Sequence, residues 1–151
     1  MADTDLDQAQ IDQLLNQFKE SGVKLAMATD ARYRMRLRRK AGVTWLIIDG
    51  MVMQPAPDEF IDRLRQLCES REIGRAAIDL RACTYLCSGA LGAIVQLLRS
   101  ERSSPDKVLL VGASAKIRRM IEIVGLGERF HVVDDMVAAA RYWLDQDAAS
   151  A

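Results

Sequence analysis

A serine, Ser88, lies in a turn of small residues between two apolar segments, in the run Cys87-Ser88-Gly89-Ala90-Leu91-Gly92. The apolar patterns on either side predict a buried strand over 76–80 and a helix that begins near Ser88. A serine hydroxyl can accept a phosphoryl group, and the amides and positive dipole end of a helix N-terminus stabilise a phosphate. The position therefore suits a regulated serine, while its ordinary interpretation is a helix N-cap.

The rest of the sequence contains few of the residue patterns that indicate a metal site or a catalytic site. Three cysteines and one histidine, His131, are too few and too scattered to predict a zinc site or a disulfide scaffold. No Walker-type loop is present, and Gly89–Gly92 is too short for a dinucleotide fingerprint. Both His131 and Asp79, at the end of a buried strand, are interpreted as structural, although Asp79 could also lie near a pocket. We therefore expect neither an enzyme nor a cofactor.

Cys87 allows two interpretations. As a small apolar side chain it would fill the turn before the helix, which is the favoured interpretation. As a thiol at a helix start it would be a redox-sensitive neighbour of Ser88. Cys68 lies on the apolar face of a predicted helix and is expected in the core.

The elements that must position Ser88 alternate along the chain. Strands are expected at 32–37, 44–48, 76–80, 108–111 and 130–133, with helices after Pro57, Ser88 and Ser114 and at the C-terminus. This order predicts a single α/β domain with a mixed sheet and crossover helices. We expect an N-terminal helical extension over 1–30, the domain over 31–147 and a disordered tail over 148–151.

The Ser88 segment resembles the signature of STAS domains, the sulfate-transporter and anti-sigma-factor-antagonist family. In its anti-anti-sigma members a strand leads into Asp-Ser-Ser-Gly-Leu-Gly, and the first serine is phosphorylated. Ser88 falls on that serine, and Leu91 and Gly92 fall on the Leu and second Gly. Cys87, Gly89 and Ala90 replace the Asp, the second Ser and the first Gly. The runs 43–50 and 108–130 are also similar to strands and helices of the family, so the resemblance covers roughly 33 to 145.

The resemblance implies an anti-sigma factor antagonist-like protein-binding module in a partner-switching pathway. The unphosphorylated chain would bind a serine kinase that is also an anti-sigma factor, phosphorylation of Ser88 would break the contact, and a PP2C-type phosphatase would restore it. The implied contact residues lie in the turn and in the loop after Gly50: Thr84, Cys87, Ser88, Gly89, Leu91, Gly92, Met51, Val52, Met53 and Gln54.

Two other functions stay open. STAS accessory subunits of ABC-type lipid transporters dock on the ATPase with Asp-Thr-Gly-Gly-Leu at the corresponding turn, where this chain has Ser88 to Leu91. A redox or ligand sensor that reads Cys87 or the N-terminal segment is the third possibility. Co-purification with an ATPase, or thiol modification that changes partner binding, would distinguish these.

Charge and hydropathy indicate which classes of partner and which location to expect for this protein. The 21 basic and 21 acidic residues balance, which gives no overall attraction to nucleic acid or membrane. No apolar run has the length of a membrane span, so we expect a cytoplasmic protein without membrane insertion. A local excess of positive charge is the arginine row at 32, 34, 36 and 38. The favoured interpretation is a solvated or internally paired strand face, and the alternative is a docking face for an acidic partner, a phosphate or nucleic acid.

The predicted N-terminal helix has an apolar stripe that needs a packing partner. Leu6, Ile11, Leu14, Leu15 and Phe18 recur at helical spacing. The stripe is expected to pack on its own domain, with a homodimer contact as the alternative.

Overall fold

The computed structural model describes residues 3–20, 22–29, 32–53, 58–70, 75–100, 108–123 and 130–150. Their elements, in chain order, are α1 (Asp3–Lys19), β1 (Val23–Thr29), β2 (Tyr33–Lys40), β3 (Val43–Val52), α2 (Asp58–Ser70), β4 (Arg75–Asp79), β5 (Cys83–Leu86), α3 (Ser88–Ser100), β6 (Val108–Val111), α4 (Ala115–Ile123), β7 (Phe130–Val133) and α5 (Met136–Ser150). The alternation of strands and helices is the one predicted from the sequence, apart from the additional strands β1 and β5.

All seven strands form one mixed sheet in the order β1-β2-β3-β4-β6-β7, with β5 paired to the end of β3. Antiparallel pairing joins β1, β2 and β3, while β3, β4, β6 and β7 are parallel neighbours. Parallel neighbours require crossover connections, which α2, α3 and α4 supply in sequence. The predicted α/β fold with a mixed sheet and an extra N-terminal helix is confirmed.

The sheet has an apolar core on each face. Alternate β2 residues, Tyr33, Met35 and Leu37, lie in one core with buried residues of α2, α3 and α4. The opposite core contains Trp45 and Ile47 of β3 with residues of α1 and α5. We name these the α3 face and the α1 face of the sheet.

Three aromatic rings fix α1 on its face of the sheet. Phe18, Trp45 and Trp143 pack edge-to-face with centroids 5.0, 5.7 and 5.6 Å apart, and each is at most 3% exposed. Such ring pairs contribute about 0.5–1.5 kcal/mol each beyond the apolar area that they bury. The stripe of α1 therefore packs on its own domain, as expected, and a homodimer built on Ile11 and Phe18 is incompatible with their burial.

Two of the expected boundaries differ from the structure. The extension over 1–30 is not only helical, because β1 pairs with β2 and so belongs to the sheet. A short apolar run such as Val23–Thr29 does not distinguish strand from helix by its pattern, and only its partner strand decides. The tail expected to be disordered instead continues α5 through Ser150, consistent with the high helix propensity of its alanines.

Gly50 allows the end of β3 to meet two other segments. Its φ of +87° is in the left-handed region, and a Cβ atom there would lie 2.3 Å from the carbonyl oxygen of Arg32. Its amide donates to the Ala82 carbonyl at 2.8 Å, and the amide of Met51 donates to the Arg32 carbonyl at 2.9 Å. The start of β2, the end of β3 and the start of β5 thus converge on one glycine.

Replacing Gly50 with alanine should lower the free energy of unfolding by about 1–3 kcal/mol, because the new Cβ combines a left-handed φ with a backbone clash. Gly92→Ala is the matched control: Gly92 lies within α3, and apart from its chain neighbours and the adjoining backbone of α3, no atom of the described residues lies within 4 Å of the position that its Cβ would take. That change should stabilise the protein by about 0.5–1 kcal/mol. Denaturant unfolding followed by tryptophan fluorescence measures both, and equal effects would contradict the assignment of strain to Gly50.

Candidate functional site

The Ser88 turn is anchored to the end of β3. Met51 and Val52 of β3 pair with Tyr85 and Leu86 of β5 in parallel register. Beyond the ladder, the amide of Cys87 donates to the Val52 carbonyl at 3.0 Å, and Thr84 Oγ1 donates to the Gly50 carbonyl at 3.2 Å. The turn and the loop after Gly50, which the sequence assigns to one contact surface, are therefore adjacent in the fold.

Cys87, and not Ser88, caps the helix that follows. The amide of Ala90 donates to Cys87 Sγ at 3.4 Å, and the amide of Leu91 donates to the Cys87 carbonyl at 3.0 Å. These are the two bonds of an N-cap residue, with sulfur as a weak acceptor in place of an oxygen. The ordinary interpretation of Ser88 as the N-cap is wrong. Ser88 is the first helical residue, and its side chain is exposed.

The residues expected at a partner contact divide by exposure. Met51, Thr84, Ser88 and Gly92 are exposed, while Met53 and Gly89 are half-buried. Val52, Cys87 and Leu91 are at most 4% exposed and belong to the core, so a contact through their side chains is incompatible with the folded domain. Their apolar character, which made them plausible contacts, serves packing against α2 and α3. Gln54 lies outside the described residues.

Both described turn cysteines are poorly placed for redox sensing. Cys87 is 1% exposed. Burial raises the pKa of the Cys83 thiol to about 11, with a smaller opposing effect from its hydrogen bond to the Tyr85 carbonyl and a further rise from Asp49. The raised pKa keeps the Cys83 thiol protonated and unreactive, and the burial of Cys87 favours its interpretation as a small residue filling the turn.

The charges around Ser88 favour an anion rather than oppose it. The first turn of α3 contains no acidic residue, so no carboxylate of that turn offsets the positive end of the helix dipole. One cation lies beside the preceding strand, where Lys116 Nζ of α4 is 5.5 Å from the centroid of the Tyr85 ring. The sequence reasoning missed Lys116, whose position two residues after the Ser114 cap was the available signal.

Asp79 and His131, the other residues considered for a functional role, make contacts that stabilise the fold. Asp79 Oδ1 accepts hydrogen bonds from the Arg81 amide and Nε at 3.0 Å, and Oδ2 accepts from the Arg81 guanidinium at 2.9 Å, which confirms the expected turn. The His131 ring stacks on Tyr142 with centroids 4.3 Å apart. Within the described ranges, no group of three or more His, Cys, Asp or Glu side chains could hold a metal ion, and no helix is long and apolar enough to cross a membrane.

Comparison with known families agrees with this geometry. Residues 34–139 match the STAS domain family model. The chain belongs to the STAS domain family. Members of this family are generally non-enzymatic binding modules, and the matched range includes the whole Ser88 turn and the end of β3.

Three solved structures show the same fold at low sequence identity. The NMR structure of TM1081 aligns with a TM-score of 0.54 and 17% identity, over 78% of this chain and 90% of that chain. The Bacillus cell fate determinant SpoIIAA, solved in its phosphorylated form, aligns with a TM-score of 0.51 and 12% identity, over 78% and 97%. The murine anion transporter Slc26a9 gives 0.52 and 15%, over 91% of this chain but only 24% of the transporter. No curated protein sequence matches.

Native thiol labelling should be slow at both turn cysteines. With a pKa of about 11, roughly one Cys83 side chain in a thousand is a thiolate at pH 8. Iodoacetamide labelling of Cys83 in the folded protein should therefore rise between pH 8 and 10, and labelling of Cys87 should be limited by its burial. Peptide mapping of native against urea-unfolded protein measures this. Rapid native labelling of Cys87 would contradict the buried-residue interpretation and support a redox sensor.

Proposed function

We propose that this STAS protein is an anti-sigma factor antagonist-like binding module whose partner contact is switched by phosphorylation of Ser88. The observation that carries the proposal is the exposed Ser88 side chain at the first position of α3, a position freed for modification because Cys87 makes the cap. The proposed partners are a serine kinase that also acts as an anti-sigma factor and a PP2C-type phosphatase, in the cytoplasm.

We name the exposed residues Met51, Thr84, Ser88 and Gly92 the switch surface. Met51 is 38% exposed, one of three large hydrophobic side chains exposed in the described ranges. A flexible thioether suits an adaptable protein contact. Thr84 is fixed beside Met51 by its bond to the Gly50 carbonyl, so the surface combines an apolar side chain with rigid polar neighbours.

Gly92 supports a close approach by a partner. Glycine within a helix costs about 0.5–1 kcal/mol relative to alanine, so its presence needs a reason. The packing of the described residues gives none, because a Cβ at this position meets no atom within 4 Å, and the residue is exposed. A partner backbone or side chain that packs against α3 one turn after Ser88 would use the space.

Phosphorylation would act on the contact and not on the fold. A phosphate on Ser88 adds about −1.5 to −2 charges at a helix N-terminus, where the helix dipole stabilises it and the first turn contains no acidic residue. The same charge in a packed interface must lose its water, and this desolvation cost weakens the complex. The phosphorylated domain would therefore remain folded and release its partner.

Ser88→Asp should weaken binding of the purified kinase partner about tenfold or more, and Ser88→Ala should bind within about twofold of the unchanged protein while resisting release by ATP. The control is Asn16→Asp, which adds one negative charge to an exposed position of α1 on the opposite face of the sheet. Isothermal titration calorimetry measures all three.

Partner identity is tested in extracts of the native cell, with intact-mass analysis and peptide mapping of the recovered protein. Phosphate on Ser88, together with capture of a serine kinase by the unphosphorylated form, would support the proposal. Capture of an ABC-type ATPase with equal efficiency by the Ser88→Asp and unchanged proteins would contradict it and favour the transporter subunit.

Gly92→Ala separates binding from stability. The variant should unfold at higher denaturant concentration than the unchanged protein, yet bind the kinase at least about fivefold more weakly because the methyl group occupies the approach space. Calorimetric titration and denaturant unfolding on the same samples measure the two effects. Unchanged affinity in the stabilised variant would remove Gly92 from the switch surface.

A further inference from the structure

A basic cleft opens on the α1 face of the sheet, opposite the switch surface. It encloses about 280 Å³ between the end of α1, the arginine row of β2 and the turn after β4. The lining side chains are Phe18, Lys19, Glu20, Arg36, Arg38, Lys40, Ile47, Asp79 and Arg81. Five are cationic and two are acidic, so the cleft carries an excess of three positive charges in a protein with no net charge.

The cations are gathered by the strand geometry. Arg36, Arg38 and Lys40 alternate with the buried residues of β2, so all three project to the α1 face. Arg81 reaches the same cleft from the carboxyl end of β4, the edge at which parallel α/β sheets commonly bind ligands. Arg36 and Arg38 are therefore half-buried in the wall of this cleft, while Arg32 and Arg34 of the same row are exposed.

Internal contacts position these cations without neutralising them all. Asp79 binds Arg81 through both carboxylate oxygens, and Asp49 pairs with Arg36 at 3.3 Å. Lys40 Nζ donates to the Phe18 carbonyl at 2.6 Å and lies 5.4 Å from the centroid of the Trp45 ring. The Nε of Arg36 is buried and has no hydrogen-bond partner among the residues described.

Three neighbouring arginines repel the positive charge of Lys40. Its pKa is lowered, first by burial and then by Arg81, Arg36 and Arg38, against a rise due to Asp79. A bound anion would relieve this repulsion.

A smaller cavity, lined by three apolar and two cationic side chains, adjoins the cleft. It encloses about 140 Å³ and shares Phe18, Lys19 and Arg81 with the cleft, while Leu15 and Met136 complete its lining. A ligand that spans both would carry its charge at one end and a less polar body at the other.

We propose that this cleft is a binding site for a small organic phosphate, with its phosphate group among Arg36, Arg38 and Arg81 and its less polar body against Leu15 and Met136. Guanidinium groups match phosphate oxygens with paired hydrogen bonds, and a dianion offsets most of the excess charge. The concave shape, closed at one side by α1, favours a small molecule over an extended polyanion.

Phenyl phosphate and inorganic phosphate are the probes, titrated into the full chain at low ionic strength by calorimetry and by tryptophan fluorescence. Trp45, in contact with Lys40, supplies the optical signal. Phenyl phosphate should bind in the micromolar to millimolar range, and equimolar phenol and chloride should not. Tighter binding of phenyl phosphate than of inorganic phosphate indicates an organic ligand, and Leu15→Gln should remove that preference. Equal affinities would overturn the organic part of the proposal and leave a free oxyanion site.

Matched charge variants locate the site. Arg38→Gln should weaken phenyl phosphate binding about tenfold or more, whereas Arg34→Gln, an exposed arginine of the same strand that does not line the cleft, should change it less than twofold. Lys19→Gln, exposed at the end of α1, gives a second lining variant that does not depend on the folding of Arg38→Gln. No binding of either phosphate, or equal losses for Arg34→Gln and the lining variants, would overturn the site.

Discussion

The pairing along β3 is the constraint on which the rest of the structure depends. This ten-residue strand is paired by β2 along one edge and, on the other, by β4 over its first half and by β5 at its end. The backbone groups of β3 that extend past β4 need partners, since buried unpaired amides and carbonyls are costly. Strand β5 supplies them, and its last bond, from the Cys87 amide to Val52, fixes where α3 begins.

Within that arrangement Cys87, at the position where the STAS signature has an aspartate, has a structural role in the turn. Cysteine in place of the usual aspartate still accepts a bond from the Ala90 amide, and its small buried side chain fills the turn. Cys87 therefore caps α3 through a weak sulfur acceptor, and Ser88 lies exposed at the first helical position.

The two faces of the sheet separate two kinds of surface. On the α3 face, packing of α2 and α3 leaves the switch surface at the edge beside β5. On the α1 face, the aromatic contacts of Phe18, Trp45 and Trp143 hold α1 over the middle strands. Residues at the end of α1 therefore line one side of the basic cleft, next to β2. Because β2 contributes apolar residues to one face and cations to the other, both surfaces depend on a single strand register, and a one-residue slip would destroy both.

The sequence by itself determined the elements with strong periodicity: the helix stripes, the strict alternation of β2, the apolar run of β3 and the strand-turn-helix around Ser88. Local patterns were sufficient for these elements, since burial of one face repeats at the period of the element itself. The candidate switch at Ser88 depended instead on the resemblance of its segment to the STAS signature, since a serine before a helix is by itself more often an N-cap.

Only the tertiary structure decided what depends on partners distant in the chain. Strand β1 required its pairing with β2, and the cap role of Cys87 required the geometry of the turn. Only the packing of the core shows that Val52, Cys87 and Leu91 are buried, whereas the other expected contact residues are at least partly exposed. The basic cleft joins residues from α1, β2 and the end of β4, which lie far apart in the sequence. Sequence patterns report the side of an element that is buried; what lies against that side is set by the packing of all the elements together.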